Sequence, residues 1–198
     1  MAIKKSKYLK RWEAWIHLDR WAEMLPWLKK WEEAAVPVDR PDWDEYFLCM
    51  AKLVSMRSMD AQTKCGCVLV DAQHRVLSVG YNGFPSKLDD DLLPNTRPYK
   101  YKWVLHSERN ALHNCLVRPE GATAYVTSKP CLECLKALHA EGIKDVCYVD
   151  CTLANMLQDD EEEMAVFDAF VAMGEIRMRA IKVNPDRAIT ALRGLGEL

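Results

Sequence analysis

The 198-residue chain has no run of about 18 apolar residues, so a membrane-spanning helix is not expected. Its first residues also lack the apolar stretch of a secretory signal, and a reducing, cytoplasmic location is the expectation. Charge of one sign is missing as well. Lys and Arg number 27 against 29 Asp and Glu, a formal net charge of −2. No global basic field therefore recruits nucleic acid or an anionic membrane. Internal repeats and low-complexity tracts are absent. With 49% hydrophobic and 28% charged residues, the composition is that of an ordinary globular protein, long enough to bury a core.

Charge and cysteine are present but uneven. Lys4, Lys5, Lys7, Lys10 and Arg11 form a basic start, while Asp89 to Asp91 and Asp159 to Glu163 are acidic runs. Runs of this size read as solvated faces or helix starts. Eight cysteines would suit a disulfide scaffold only in a smaller, less apolar chain. Cys49, Cys65, Cys67, Cys115, Cys147 and Cys151 lie in or beside apolar runs, where a free cysteine behaves as a small hydrophobe.

Composition divides the chain into residues 1–36, 40–183 and a tail, 184–198. Trp12, Trp15, Trp21, Trp27 and Trp31 place five of the seven tryptophans in the first part. Leu9, Trp12 and Ile16 recur at helical spacing, and Pro26 separates this helix from a second, over 26–35. An amphipathic arm packing on the body or on another subunit fits this pattern. Interleaved bases and aromatics also suit a nucleic-acid stacking arm. An interfacial membrane helix is a third reading, weakened by Glu13, Asp19, Glu23, Glu32 and Glu33.

From Asp42 onward the pattern is regular. Asp42 followed by Glu45 predicts a capped helix start, with Phe47, Met50, Ala51 and Val54 on its buried face. Residues 66–70 and 75–80 predict a hairpin around an Asp71 to His74 turn. A long loop, 81–104, carries Pro85, Pro94 and Pro98. Helices are expected over 106–116, 131–141 and 160–173, and strands over 122–128, 144–149 and 175–183. Such alternation implies an α/β fold with a largely parallel sheet covered on both faces.

The chemistry is concentrated in two short segments. His106-Ser107-Glu108 is followed, 22 residues after the glutamate, by Pro130-Cys131-Leu132-Glu133-Cys134. One imidazole and two thiolates supply three ligands to Zn²⁺, leaving the fourth tetrahedral position open for water. Helix N-termini favour thiolate over thiol, and Cys131 and Cys134, three apart, share a helical face. Zinc lowers the pKa of bound water from about 15.7 to about 7. At 1.36 kcal/mol per unit, that is roughly 12 kcal/mol toward hydroxide. Glu108, close in sequence but not a ligand, is then the catalytic proton shuttle. A closed structural zinc, completed by Cys115, His113 or His139, is the alternative, and it has no use for Glu108.

Together the segments resemble the signature of zinc-dependent nucleobase deaminases. The order of Trp43 to Val54, Arg57-Ser58, Gly66 to Val70, Gly80-Tyr81-Asn82-Gly83-Phe84-Pro85, His106 to Ala111 and Pro130 to Cys134 resembles the deoxycytidylate deaminases. The resemblance covers about residues 40–183. It implies a three-layer α/β/α cytidine-deaminase-like fold with a five-stranded mixed sheet, here preceded by an N-terminal helical extension. It also implies hydrolysis of dCMP to dUMP and ammonia, for thymidylate synthesis, in a homo-oligomer, typically a hexamer. Carried over by position, His106, Cys131 and Cys134 hold zinc and Glu108 is the acid/base. Asn82 would meet the sugar hydroxyl, and Arg57 the phosphate, with Arg109 and Lys102 within reach. Ser107, where the family usually has alanine, is a further candidate on the substrate. Gly80, Tyr81 and Gly83 belong to the stretch associated with the effectors dCTP and dTTP, bound with Mg²⁺. Deamination of dCTP, of a modified dCMP or of a base in RNA is the second enzymatic reading. A zinc-stabilised assembly module without activity is the third.

Overall fold

A computed structural model describes Trp27, Lys30 and Ala34, all helical, and residues 40–89, 91–150 and 161–184. The chain divides into two compact units, Met1–Arg40 and Pro41–Leu198. The predicted helix through Leu9, Trp12 and Ile16 lies outside the described residues. Among those described, no helix is long and apolar enough to cross a membrane.

The second unit opens with α1, Trp43–Ser55. Its start is set by Asp42, whose Oδ1 accepts the Glu45 amide hydrogen at 2.8 Å, satisfying one of the free donors at a helix N-terminus. Phe47, Leu48, Ala51 and Ser55 are the buried residues of its inner face, with Met50 and Val54 packed along its margin. Strands β1, Gly66–Val70, and β2, Val76–Tyr81, form the predicted hairpin. Asp71 holds its turn by accepting the amides of Gln73 and Arg75, each at 2.9 Å.

Helix α2, Ser107–Asn114, leads to β3, Thr123–Val126. Helix α3, Leu132–Ala140, leads to β4, Asp145–Val149. Helix α4, Glu161–Met173, leads to β5, Arg177–Ile181. The strand order is β2-β1-β3-β4-β5. Two of the four pairings are antiparallel, β1 with β2 and β1 with β3, and two are parallel. The sheet is therefore mixed rather than largely parallel. The α2 crossover returns β3 beside β1 instead of beside β2, with which β3 shares its direction.

Alternation along β1 separates the two cores, because successive strand side chains face opposite ways. Cys67 and Leu69 pack with Ala111, Leu135, Leu138 and Phe167 under α2, α3 and α4. Val68 and Val70 pack with Phe47, Leu48 and Ala51 under α1. Close approach on each face needs a residue without a side chain. A Cβ on Gly66 would lie 2.0 Å from the Ala51 carbonyl oxygen, and one on Gly80 2.2 Å from the Ala111 nitrogen.

The predicted loop between β2 and α2 is more ordered than proline content suggests. Tyr99–Lys102 forms a 3-10 helix. Gly83 and Leu105 close the loop at its base through reciprocal backbone bonds of 3.1 and 2.8 Å, just before His106.

Candidate active site

Both halves of the motif begin helices. His106 is the N-cap of α2 and Cys131 the N-cap of α3, each with an extended backbone and neither with a side chain engaged in capping. Cap positions normally attract side chains that accept the free amides. Here those side chains turn to one another. His106 Nδ1 lies 3.5 Å from Cys131 Sγ and 3.4 Å from Cys134 Sγ. All three donor atoms fall within 4.8 Å of one another.

The donor set fits zinc. Tetrahedral angles with Zn–N near 2.05 Å and Zn–S near 2.3 Å give an N···S edge of about 3.6 Å, close to the separations found. No other trio of metal-ligating side chains occurs among the described residues. No fourth protein ligand joins the three there either. His113 and Cys115 line a groove of about 710 Å³ that includes none of the ligands, and the His139 ring packs on Phe170. An open position distinguishes a catalytic zinc from a structural one.

The electrostatics separate the two thiols. A hydrogen bond from Cys134 brings the Cys131 thiol down to about 4 against its burial, with His106 assisting. Cys134 is pushed up by that same contact and then by burial. Hydrogen bonding to Cys131 raises His106, more than burial lowers it.

Glu108 occupies the first turn of α2 and is 5% exposed. Burial pushes its carboxyl up, while its own amide and the Ser107 hydroxyl work the other way. A carboxyl raised by burial holds a proton more readily than an exposed one, which suits a group that takes and returns protons.

Other predicted residues are placed differently. Asn82 is buried, and both of its amide hydrogens are engaged within the protein, with Thr63 O at 2.8 Å and Asp60 Oδ2 at 3.2 Å. Its Oδ1 accepts the Cys65 amide at 2.7 Å, leaving one lone pair for a ligand hydroxyl. Arg57 is exposed just beyond α1; Lys102 and Arg109 are exposed as well. Ser107 is fully buried, and its hydroxyl donates to Glu108 Oε2 at 2.8 Å. Gly80 and Gly83 are buried and Tyr81 half-buried. Gly80 packs closely against the backbone of α2.

Asp60 and Lys100 escape sequence reasoning altogether. Lys100 Nζ contacts both Asp60 oxygens, at 2.6 and 2.5 Å, and the pair is almost wholly buried. Asp60 also accepts the amides of Gln62 and Thr63, and thus joins the loop bearing Asn82's partners to the one leading into His106. A signal for Asp60 lay in its place two residues after Arg57-Ser58; nothing local marks Lys100.

Residues 41–150 match the family described as the cytidine and deoxycytidylate deaminase zinc-binding region. The chain belongs to that family. Deoxycytidylate deaminase of Mus musculus is 35% identical over 134 residues, covering 64% of this chain and 73% of the mouse protein. That of Mycobacterium phage D29 is 36% identical over 128 residues, covering 56% of this chain and 97% of the phage protein. The crystal structure of dCMP deaminase from cyanophage S-TIM5, in complex with dCMP and dUMP, has the same fold. It aligns with a TM-score of 0.54 and 24% identity, over 73% of this chain and all of that one. Zinc is the metal of this deaminase family, and the His106, Cys131 and Cys134 cluster has the donors to hold it.

Proposed function

We propose that the chain is a zinc-dependent dCMP deaminase, converting dCMP and water to dUMP and ammonia. One observation carries the reading: three metal donors converge from two helix N-termini, and a buried carboxylate stands two residues from the first of them. The naming of the mouse and phage relatives as deoxycytidylate deaminases supports dCMP as substrate.

His106, Cys131 and Cys134 would hold the metal. When bound, zinc lowers the pKa of water toward neutrality and so provides the nucleophile. Glu108 would take a proton from the attacking water, pass one to the pyrimidine ring nitrogen, and help protonate the departing amine. The amine-bearing carbon gains a C–O bond and loses its C–N bond, with ammonia leaving. Asn82 offers its remaining Oδ1 lone pair to a sugar hydroxyl. Exposed Arg57 is the proposed phosphate partner.

Self-association accompanies this reading. Leu116 and Val117, beside the groove outside α2 and α3, are 98% and 60% exposed. Large exposed apolar side chains next to a groove favour an interface, and the hexamer typical of the family is the proposed state. A cytoplasmic location accords with seven free cysteines among the described residues.

The test is ammonia release from dCMP, dCTP, CMP and deoxycytidine, each with and without dCTP or dTTP plus Mg²⁺ where these are not the substrate. dCMP should be turned over far faster than deoxycytidine, because the phosphate is bound. Glu108→Gln should abolish turnover while zinc stays stoichiometric. An active Glu108→Gln enzyme would remove Glu108 from the chemistry. Zinc binding without turnover of any nucleotide would instead identify an assembly module.

A further inference from the structure

We propose that Ser107 is a positioning residue for Glu108, anchoring one carboxylate oxygen so that the other carries the proton transfers. The inference rests on the deaminase reading of the site and deepens it.

Ser107 and Glu108 are the first two residues of α2. The Ser107 backbone is pressed onto the sheet: its carbonyl oxygen would stand only 2.4 Å from a Cβ on Gly80. The side chain therefore starts from a fixed base. It is fully buried, and its hydroxyl meets Glu108 Oε2 at 2.8 Å. No other hydrogen-bond partner of that hydroxyl occurs among the described residues. A buried hydroxyl with a single carboxylate acceptor can satisfy its donor only there.

The two Glu108 oxygens are thereby made unequal. Oε2 is tied down by the Ser107 hydroxyl, the one side-chain donor among the described residues that reaches the carboxyl, and Glu108's own amide is the backbone donor beside it. A glutamate has three side-chain torsions, the last one broad and soft. A carboxylate that must take a proton at one point and deliver it at another works best when rotation about that torsion is limited. Ser107 supplies the limit without touching substrate.

The experiment uses the full-length, zinc-loaded chain as wild type, S107A, S107C, E108A and S107A/E108A. A hydrogen bond to a charged group is strong enough that its loss should lower kcat for dCMP by about tenfold in S107A. KM should stay within about twofold, since the contact is made before substrate binds. S107C, a weaker donor of similar size, should fall between wild type and S107A, and it keeps the comparison should alanine fail to fold. Thermal unfolding should show S107A destabilising the wild type more than it destabilises E108A, the mark of a coupled pair. Wild-type kcat in S107A, a loss confined to KM, or additive effects on Tm would each overturn the inference. Failure of the deaminase reading is separate: the wild type itself would then release no ammonia from any nucleotide.

Discussion

Replacing Lys100 by methionine removes the ammonium and keeps most of the side-chain length. In the wild-type protein Lys100 and Asp60 are only 4% and 3% exposed and 2.5 Å apart. Removing one partner of such a buried pair costs about 3–5 kcal/mol, because the other charge is left in a medium that cannot solvate it. Asp60 would keep the amides of Gln62 and Thr63 at 2.8 and 2.9 Å, which places the expected loss near the lower figure. For a domain of this size, about 3 kcal/mol corresponds to a fall in Tm of roughly 10 °C. Lys136, whose 2.7 Å contact with Glu133 is solvent-exposed, provides the contrast: Lys136→Met should cost less than about 1 kcal/mol.

The pH dependence carries the sign. Burial by itself would raise the Asp60 carboxyl, but Lys100 and the two amides outweigh it and hold the group below its usual value. That contribution to stability is complete above the unfolded pKa of about 3.9 and is lost as pH falls through the lower folded value. Without Lys100, burial is no longer countered by a cation, and Asp60 should titrate above its unfolded value. The variant should then gain stability on acidification while the wild type does not. Unfolding of both zinc-loaded proteins, followed by circular dichroism from pH 7 to 4.5, reads the gap directly. A gap under about 1 kcal/mol at pH 7, or one that widens toward pH 4.5, would refute the reasoning.

Gly80→Ala should destabilise by about 3 kcal/mol and lower zinc occupancy, since its methyl meets backbone atoms of α2 at 2.2 and 2.4 Å. Unfolding and metal analysis of the same sample check both effects. Stripping zinc with a strong chelator should lower Tm and abolish turnover, with both restored by added zinc; a site loaded at 1,000 times its Kd is worth about 4 kcal/mol. Leu116→Glu places a charge on the exposed apolar rim of the groove and should reduce the oligomer measured by light scattering, while the zinc content is kept.

Much of the site was legible because its parts are local. A cap residue followed by its helix brings His106 to Glu108 by chain connectivity alone, and one turn brings Cys131 to Cys134. The hairpin was equally legible, with its Asp71 turn between two β-branched runs. Periodicity also found Phe47 and Ala51 on the α1 inner face, but it put Met50 and Val54 there, which lie at the margin, and missed Leu48 and Ser55. The partners of those pieces were not legible. Lys100 reads as one base in a lysine-and-tyrosine run, yet it alone turns inward to meet a carboxylate 40 residues earlier. Ser107 reads as a small residue that adds a hydroxyl near the base, and only the fold shows which Glu108 oxygen that hydroxyl meets.

The amino-acid order by itself determined which atoms can bind the metal, where each helix starts, and which family the chain resembles. Tertiary structure alone decided that β3 pairs with β1, that Asn82 is held by Asp60 and Thr63, and which oxygen of Glu108 is tied. Local patterns record whether a residue will be buried and in what kind of element. They do not record which distant segment will bury it, because that is settled by packing summed over the entire sheet and its two covering layers.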